Sequence, residues 1–210
     1  MADGNALPLA LRSGCGAAAL ALARRLYAGP LRRPGKTLDH PLAVARLVDA
    51  EGCPPDVVIA ALLHDIIEDA GLTSDELRRC FGQRVARTVA ALSEDTGIDD
   101  YVERKRALRE RVAGAERDVA IIALADKLAK LRRRAADGET SPPRALEHYR
   151  ESAMMLMRRH GPFALADAVL DEVALAAYAA QSPRATAPPA PVSLRSARPR
   201  RRRAVSQAGA

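Results

Sequence analysis

Residues 56–69 read DVVIAALLHDIIED, an apolar run that ends in His64, Asp65, Glu68 and Asp69. A helix so apolar on nearly all sides belongs in a core. Carboxylates carried into a core need a cation or strong donors, because an unpaired buried charge loses hydration that packing does not return. His64 and Glu68 are spaced i, i+4, as are Asp65 and Asp69, so a continuous helix over 56–69 would set two pairs on adjacent faces. One pair would bind and the next would act. A second apolar run, Val119–Ala125, leads into Asp126, and His40 stands between Asp39 and Pro41 at a helix mouth. Two imidazoles (His40, His64) and two carboxylates (Asp65, Asp126) form a mixed nitrogen and oxygen donor set. Such a set suits Mn²⁺, Fe²⁺, Co²⁺ or Zn²⁺ better than Ca²⁺. Taken singly, His40 also fits a helix cap, and Asp126 an ion pair with Lys127 or Lys130.

The elements that must position these groups read as helices throughout. Alanine is abundant, aromatics are 3%, and the alternation of half-buried strands is missing. Helices are predicted at 16–28, 41–51, 56–69, 74–80, 83–93, 100–113, 116–134, 143–160 and 163–180. Thr73-Ser74-Asp75-Glu76 forms a capping box, Gly52 and Gly71 are stops, and Pro41, Pro55, Pro143 and Pro162 mark starts. The expected organisation is a short flexible leader at 1–12, one all-α domain at 13–180 and a disordered Arg/Pro-rich tail at 181–210.

The charge supports that division. The net +7 resides in the tail, whose seven arginines leave 26 basic residues against 26 acidic ones in residues 1–180. The pI of about 9.8 therefore describes a tail with weak attraction for polyanions, not a nucleic-acid-binding face on the domain. Gly14–Ala23 is apolar, but Asp3 precedes it and Arg24-Arg25 follow it, the reverse of a signal peptide. No apolar run reaches the 18 or so residues that cross a bilayer, so no membrane association is expected. Cys15, Cys53 and Cys80 are an odd set without metal-site spacing, which fits reduced thiols and a cytoplasmic setting.

The order of these signals is specific: HPLAVARLV, then AALLHDIIEDAGLTSDELRRCFGQRVARTVAALSED, then YVERKRALRERV and ALADKLAKLR. Over residues 17–160 this resembles the HD-domain phosphohydrolases, in particular the hydrolase domain of Rel/Spo alarmone enzymes and their small stand-alone relatives. The resemblance implies a single HD-domain helical bundle with one divalent ion, commonly Mn²⁺, held by His40, His64, Asp65 and Asp126. It implies Glu68 and Asp69 at the attacking water, and removal of the 3′-pyrophosphate from ppGpp or pppGpp. Basic residues of the loop PLRRPGKTLDH meet the nucleotide in that family, which makes Arg32, Arg33 and Lys36 candidates for substrate binding. The loop is one residue longer here. Where the family commonly has Asn four residues after its last Asp, this chain has Lys130, a candidate phosphate contact.

The chemistry agrees: a divalent ion lowers the pKa of water and offsets phosphate charge, and a carboxylate takes the proton. The expected function is (p)ppGpp 3′-pyrophosphohydrolysis in the cytoplasm. Synthetase activity is not expected, since residues 161–210 offer one helix and a tail. The alternatives are an HD phosphohydrolase acting on a nucleoside monophosphate, a dNTP or a cyclic dinucleotide, and an idle nucleotide-binding protein. Two-metal HD enzymes need further histidines between His64 and Asp126, and there are none.

Overall fold

A computed structural model describes residues 6–181. Every regular element among them is helical. After a 3-10 turn at Leu9–Leu11 come α1 (Gly14–Tyr27), α2 (Asp39–Ala50), α3 (Pro55–Leu62), α4 (Ile66–Ala70) and α5 (Ser74–Leu92). They are followed by α6 (Tyr101–Gly114), α7 (Arg117–Ala136), α8 (Pro143–His160) and α9 (Ala164–Gln181). The all-α expectation holds. The predicted tail lies outside the described residues apart from Gln181, which ends α9.

Burial follows the apolar runs. Residues 119–125 of α7 are all buried, and α7 packs on α2 along one side and on α9 along another. Helix α3 is buried from Val57 to Leu62 and lies against α2 and α5. Leu62, Leu63, Ile66, Ile122 and Leu124 are essentially inaccessible, and each such side chain contributes about 1.5–3 kcal/mol by leaving water. These two helices form the platform from which His64, Asp65 and Asp126 emerge.

The stretch expected as a flexible leader joins the fold before residue 13. Leu11, inside the stretch expected to be flexible, is 1% exposed and joins the core. Gly16 permits this, because a Cβ there would stand 1.7 Å from the Ala10 carbonyl oxygen.

Two helix boundaries carry information. The predicted break between 74–80 and 83–93 appears inside α5 at Gly82, whose φ of 89° only glycine adopts readily. The predicted continuous helix 56–69 is corrected: the chain leaves the helix at Leu63-His64-Asp65 and resumes as α4. The cause is local. His64 Nδ1 lies 2.9 Å from the Ala61 carbonyl oxygen, the acceptor that Asp65 N–H would use in an unbroken helix. Leu63 and Asp65 sit at φ −103°, ψ 7° and φ −98°, ψ 0°, the sparsely used region between helix and strand.

Candidate metal centre and its flanking cavities

The turn that interrupts the helix aims His64 and Asp65 at the first turn of α2 and the middle of α7. His40, in the first turn of α2, is buried, and its ring centroid lies 5.4 Å from that of His64. Ligand atoms of His40, His64 and Asp65 all fall within 4.8 Å of one another. Asp126 Oδ1 completes the group, 2.9 Å from His40 Nε2 and 3.4 Å from His64 Nε2. Asp65 Oδ1 is also 3.4 Å from His64 Nε2. Donors sharing one ion through bonds of about 2.0–2.2 Å stand roughly 3–3.5 Å apart, and the His40–Asp126, His64–Asp126 and His64–Asp65 separations match that.

A second observation bears on the fit. The Ala61 carbonyl accepts the Nδ1 proton of His64, which leaves Nε2 as the free lone pair. That Nε2 is buried and has no hydrogen-bond partner. A buried histidine nitrogen pointed at two carboxylates without a bond is suited to a cation.

The electrostatics match. Burial alone would lower His64, but the Asp65 and Asp126 carboxylates push it up to about 9, and a bound cation would take the place of that proton. Asp65 falls to about 2: burial opposes ionisation, and His64 with Lys130 overcomes it. Asp126 is held well below the usual range against the same burial, chiefly by Lys130 and the two imidazoles. Lys130 Nζ donates to Asp126 Oδ2 at 2.8 Å, so that oxygen is engaged while Oδ1 faces the histidines.

Glu68 and Asp69 stand one turn beyond. Glu68 accepts from the Glu94 backbone N–H at 2.7 Å and pairs with Arg33, yet burial still raises its pKa. Asp69 is 1% exposed, and Tyr27 of α1 donates its hydroxyl to Oδ2 at 3.0 Å. Arg33 also stands 3.8 Å from Asp69, and Lys36 is 3.6 Å from Asp65. Arg32 behaves differently. Its backbone N–H donates to the Asp69 carbonyl at 2.7 Å, and its guanidinium lies over Gly71, where any Cβ would clash at 2.1 Å. The structure thus brings His40, His64, Asp65 and Asp126 together, places Glu68, Asp69, Arg33, Lys36 and Lys130 around them, and turns Arg32 to the back of α4.

Two cavities flank the cluster. One, the inner cavity, is lined by His64, Asp65 and Glu68 and by Lys105, Arg109 and Lys127. An outer one is lined by Lys36, His40, Asp69, Arg133 and Arg134. Lys130 and Tyr149 belong to both. Sequence reasoning did not single out Tyr27, Arg109, Lys127 or His148 as site residues. For Lys127 a signal existed, since it is a lysine inside an otherwise apolar helical run. For Tyr27, the pairing across 42 residues left none.

Residues 19–152 match the HD domain family, and this chain belongs to it. The family and the His/Asp cluster together make this a divalent-metal site. Within the family, the chain is 32% identical over 146 residues to the guanosine-3′,5′-bis(diphosphate) 3′-pyrophosphohydrolase MESH1 of Xenopus tropicalis, covering 67% of this chain and 81% of that protein. The Homo sapiens protein of the same name is 38% identical over 97 residues, 45% of this chain and 54% of that one. A solved structure described as a metazoan ortholog of SpoT that hydrolyzes ppGpp superposes with a TM-score of 0.61 at 26% identity, covering 77% of this chain and 94% of that one. Among the described residues no helix is long and apolar enough to cross a membrane. The three cysteines are free thiols.

Proposed function

We propose that this protein is a metal-dependent (p)ppGpp 3′-pyrophosphohydrolase. The observation that carries the reading is the convergence of His40, His64 and Asp65 within 4.8 Å, with Asp126 Oδ1 against both imidazoles. The names of the relatives, each a 3′-pyrophosphohydrolase of guanosine bis(diphosphate), point the same way.

His40, His64, Asp65 and Asp126 are the ligands of one divalent ion in this reading, Mn²⁺ by preference among the metals that accept nitrogen and oxygen donors. When bound, such an ion lowers the pKa of water and offsets phosphate charge. The chain's own groups do the rest. Glu68, raised by burial, orients the water and takes its proton at a carboxylate oxygen. Asp69, held by Tyr27, assists. Arg33 and Lys36 present charge to the nucleotide from the Pro30–Lys36 loop, and Lys130 stands between the two cavities to meet phosphate. Arg32 contributes to binding through the loop it anchors.

The catalytic unit is proposed to be the packed segment that ends at about residue 180, and the Arg-rich tail beyond it a separate polyanion contact. The test is direct. Full-length protein supplied with Mn²⁺ should release pyrophosphate and GDP from ppGpp and stop when a chelator is added. A fully metallated sample that leaves ppGpp intact while cleaving another nucleotide would replace the substrate assignment.

A further inference from the structure

Beyond the proposed ligands and general base, the inner cavity carries a set of basic groups. Lys127 projects from α7, Lys105 and Arg109 from α6, and His148 from α8, all lining the same cavity as Glu68. Lys127 is 7% exposed, has no carboxylate ion pair among the described residues, and donates only to the Ala123 carbonyl at 3.2 Å. An ammonium group has three protons to place, so two of them lack a partner. The Arg109 Nε–H is likewise buried without one. Arg109 directs a guanidinium nitrogen at His148 Nδ1, 2.8 Å away. A guanidinium only donates, so Nδ1 is an acceptor and the ring proton sits on Nε2, a further donor. Lys105 and Arg109 have carboxylate partners in Glu94 and Glu151, and the Glu151 side chain is 43% exposed at the edge. Unused donors on buried cations that line the same cavity as the proposed general base call for an anion.

We propose that this basic set is the pyrophosphate site, where Lys127, Arg109 and Lys105 hold the pyrophosphoryl group and then the released pyrophosphate, while the nucleoside occupies the outer cavity. The assignment rests on the hydrolase reading for the identity of the reaction. Water oxygen bonds to the phosphorus attached to the ribose 3′ oxygen, one water proton passes to Glu68, and the bond from phosphorus to the 3′ oxygen breaks. The 3′ oxygen, the leaving group, departs as the alcohol with a proton from bulk water, Glu68 gives its proton back to solvent, and pyrophosphate carries away the new oxygen. Of the two cavities, the inner one contains both Glu68 and the unpaired donors, so the phosphorus chain extends inward.

The experiment measures binding of inorganic pyrophosphate to the metal-loaded, full-length protein by calorimetry, beside Lys127→Met and Arg109→Met. Each variant should bind pyrophosphate about tenfold to a hundredfold more weakly, the range for hydrogen bonds between charged groups. Pyrophosphate should also raise the melting temperature of the parent protein more than that of either variant. Lys127→Met should itself melt no lower than the parent without pyrophosphate, because an unpaired buried cation is replaced by an apolar chain of similar shape. Parent-like pyrophosphate affinity in both folded variants would overturn the assignment. So would loss of stability in Lys127→Met with unchanged affinity, which would make Lys127 structural. Because no ppGpp is used, a different nucleotide substrate would leave this result standing, and failure here would leave ppGpp cleavage untouched.

Discussion

Asp65 and Glu68 are three residues apart, and the proposed reaction separates their duties. Asp65 contributes a carboxylate oxygen to the cluster and faces His64 at 3.4 Å. Asp65→Ala should therefore lose bound metal, read as metal per chain by elemental analysis after dialysis. Glu68 faces Arg33 and the Glu94 N–H instead of the imidazoles. Glu68→Gln should keep its metal and lose about 10²–10⁴-fold in kcat, the usual range for removing a general base. Equal metal loss in both variants would merge the two roles. At this scale, residues next to each other in the motif were the legible ones. His64 and Asp65 follow an apolar run whose burial demands a partner, and Asp126 ends another. Arg109 and His148 meet only because α6 and α8 pack together, and nothing in either segment announces the other.

The helices themselves were read from their punctuation. The capping box is present as drawn: the Thr73 hydroxyl accepts from Glu76 N–H at 3.2 Å, and the Glu76 carboxylate accepts from Thr73 N–H at 2.8 Å. Thr73→Ala should destabilise the fold by about 1 kcal/mol in urea titration, with activity unchanged. A shift near zero would mean that packing of Leu77 alone fixes the start of α5. The element that sequence patterning missed is the turn at Leu63-His64-Asp65. Hydrophobic periodicity cannot register it, because the residues on both sides are buried and apolar whether or not the helix continues. A side-chain bond, His64 Nδ1–H to the Ala61 carbonyl, decides between the two paths. The same bond leaves His64 Nε2 available, so the break and the site have one cause.

Across the whole molecule, the packed helices keep His148 neutral. Burial first, then Lys127, Lys105 and Arg109, lower it to about 2. In the unfolded chain its pKa is about 6.5. Below that pH the unfolded state takes up a proton that the folded state refuses, so stability is whole above about 6.5 and declines as pH falls towards 2. Between pH 7.5 and 5.5 the parent should lose about 1.4 kcal/mol more than His148→Gln in denaturant titrations, the equivalent of one pH unit below 6.5. Identical losses would mean that neither burial nor the neighbouring cations hold the ring neutral.

The backbone bond from Arg32 to the Asp69 carbonyl, with the guanidinium resting on Gly71, stitches the basic loop to the short helix that bears both acids. In the proposed reaction, breaking that bond would loosen the loop offered to the nucleotide and the acids offered to the water at one stroke.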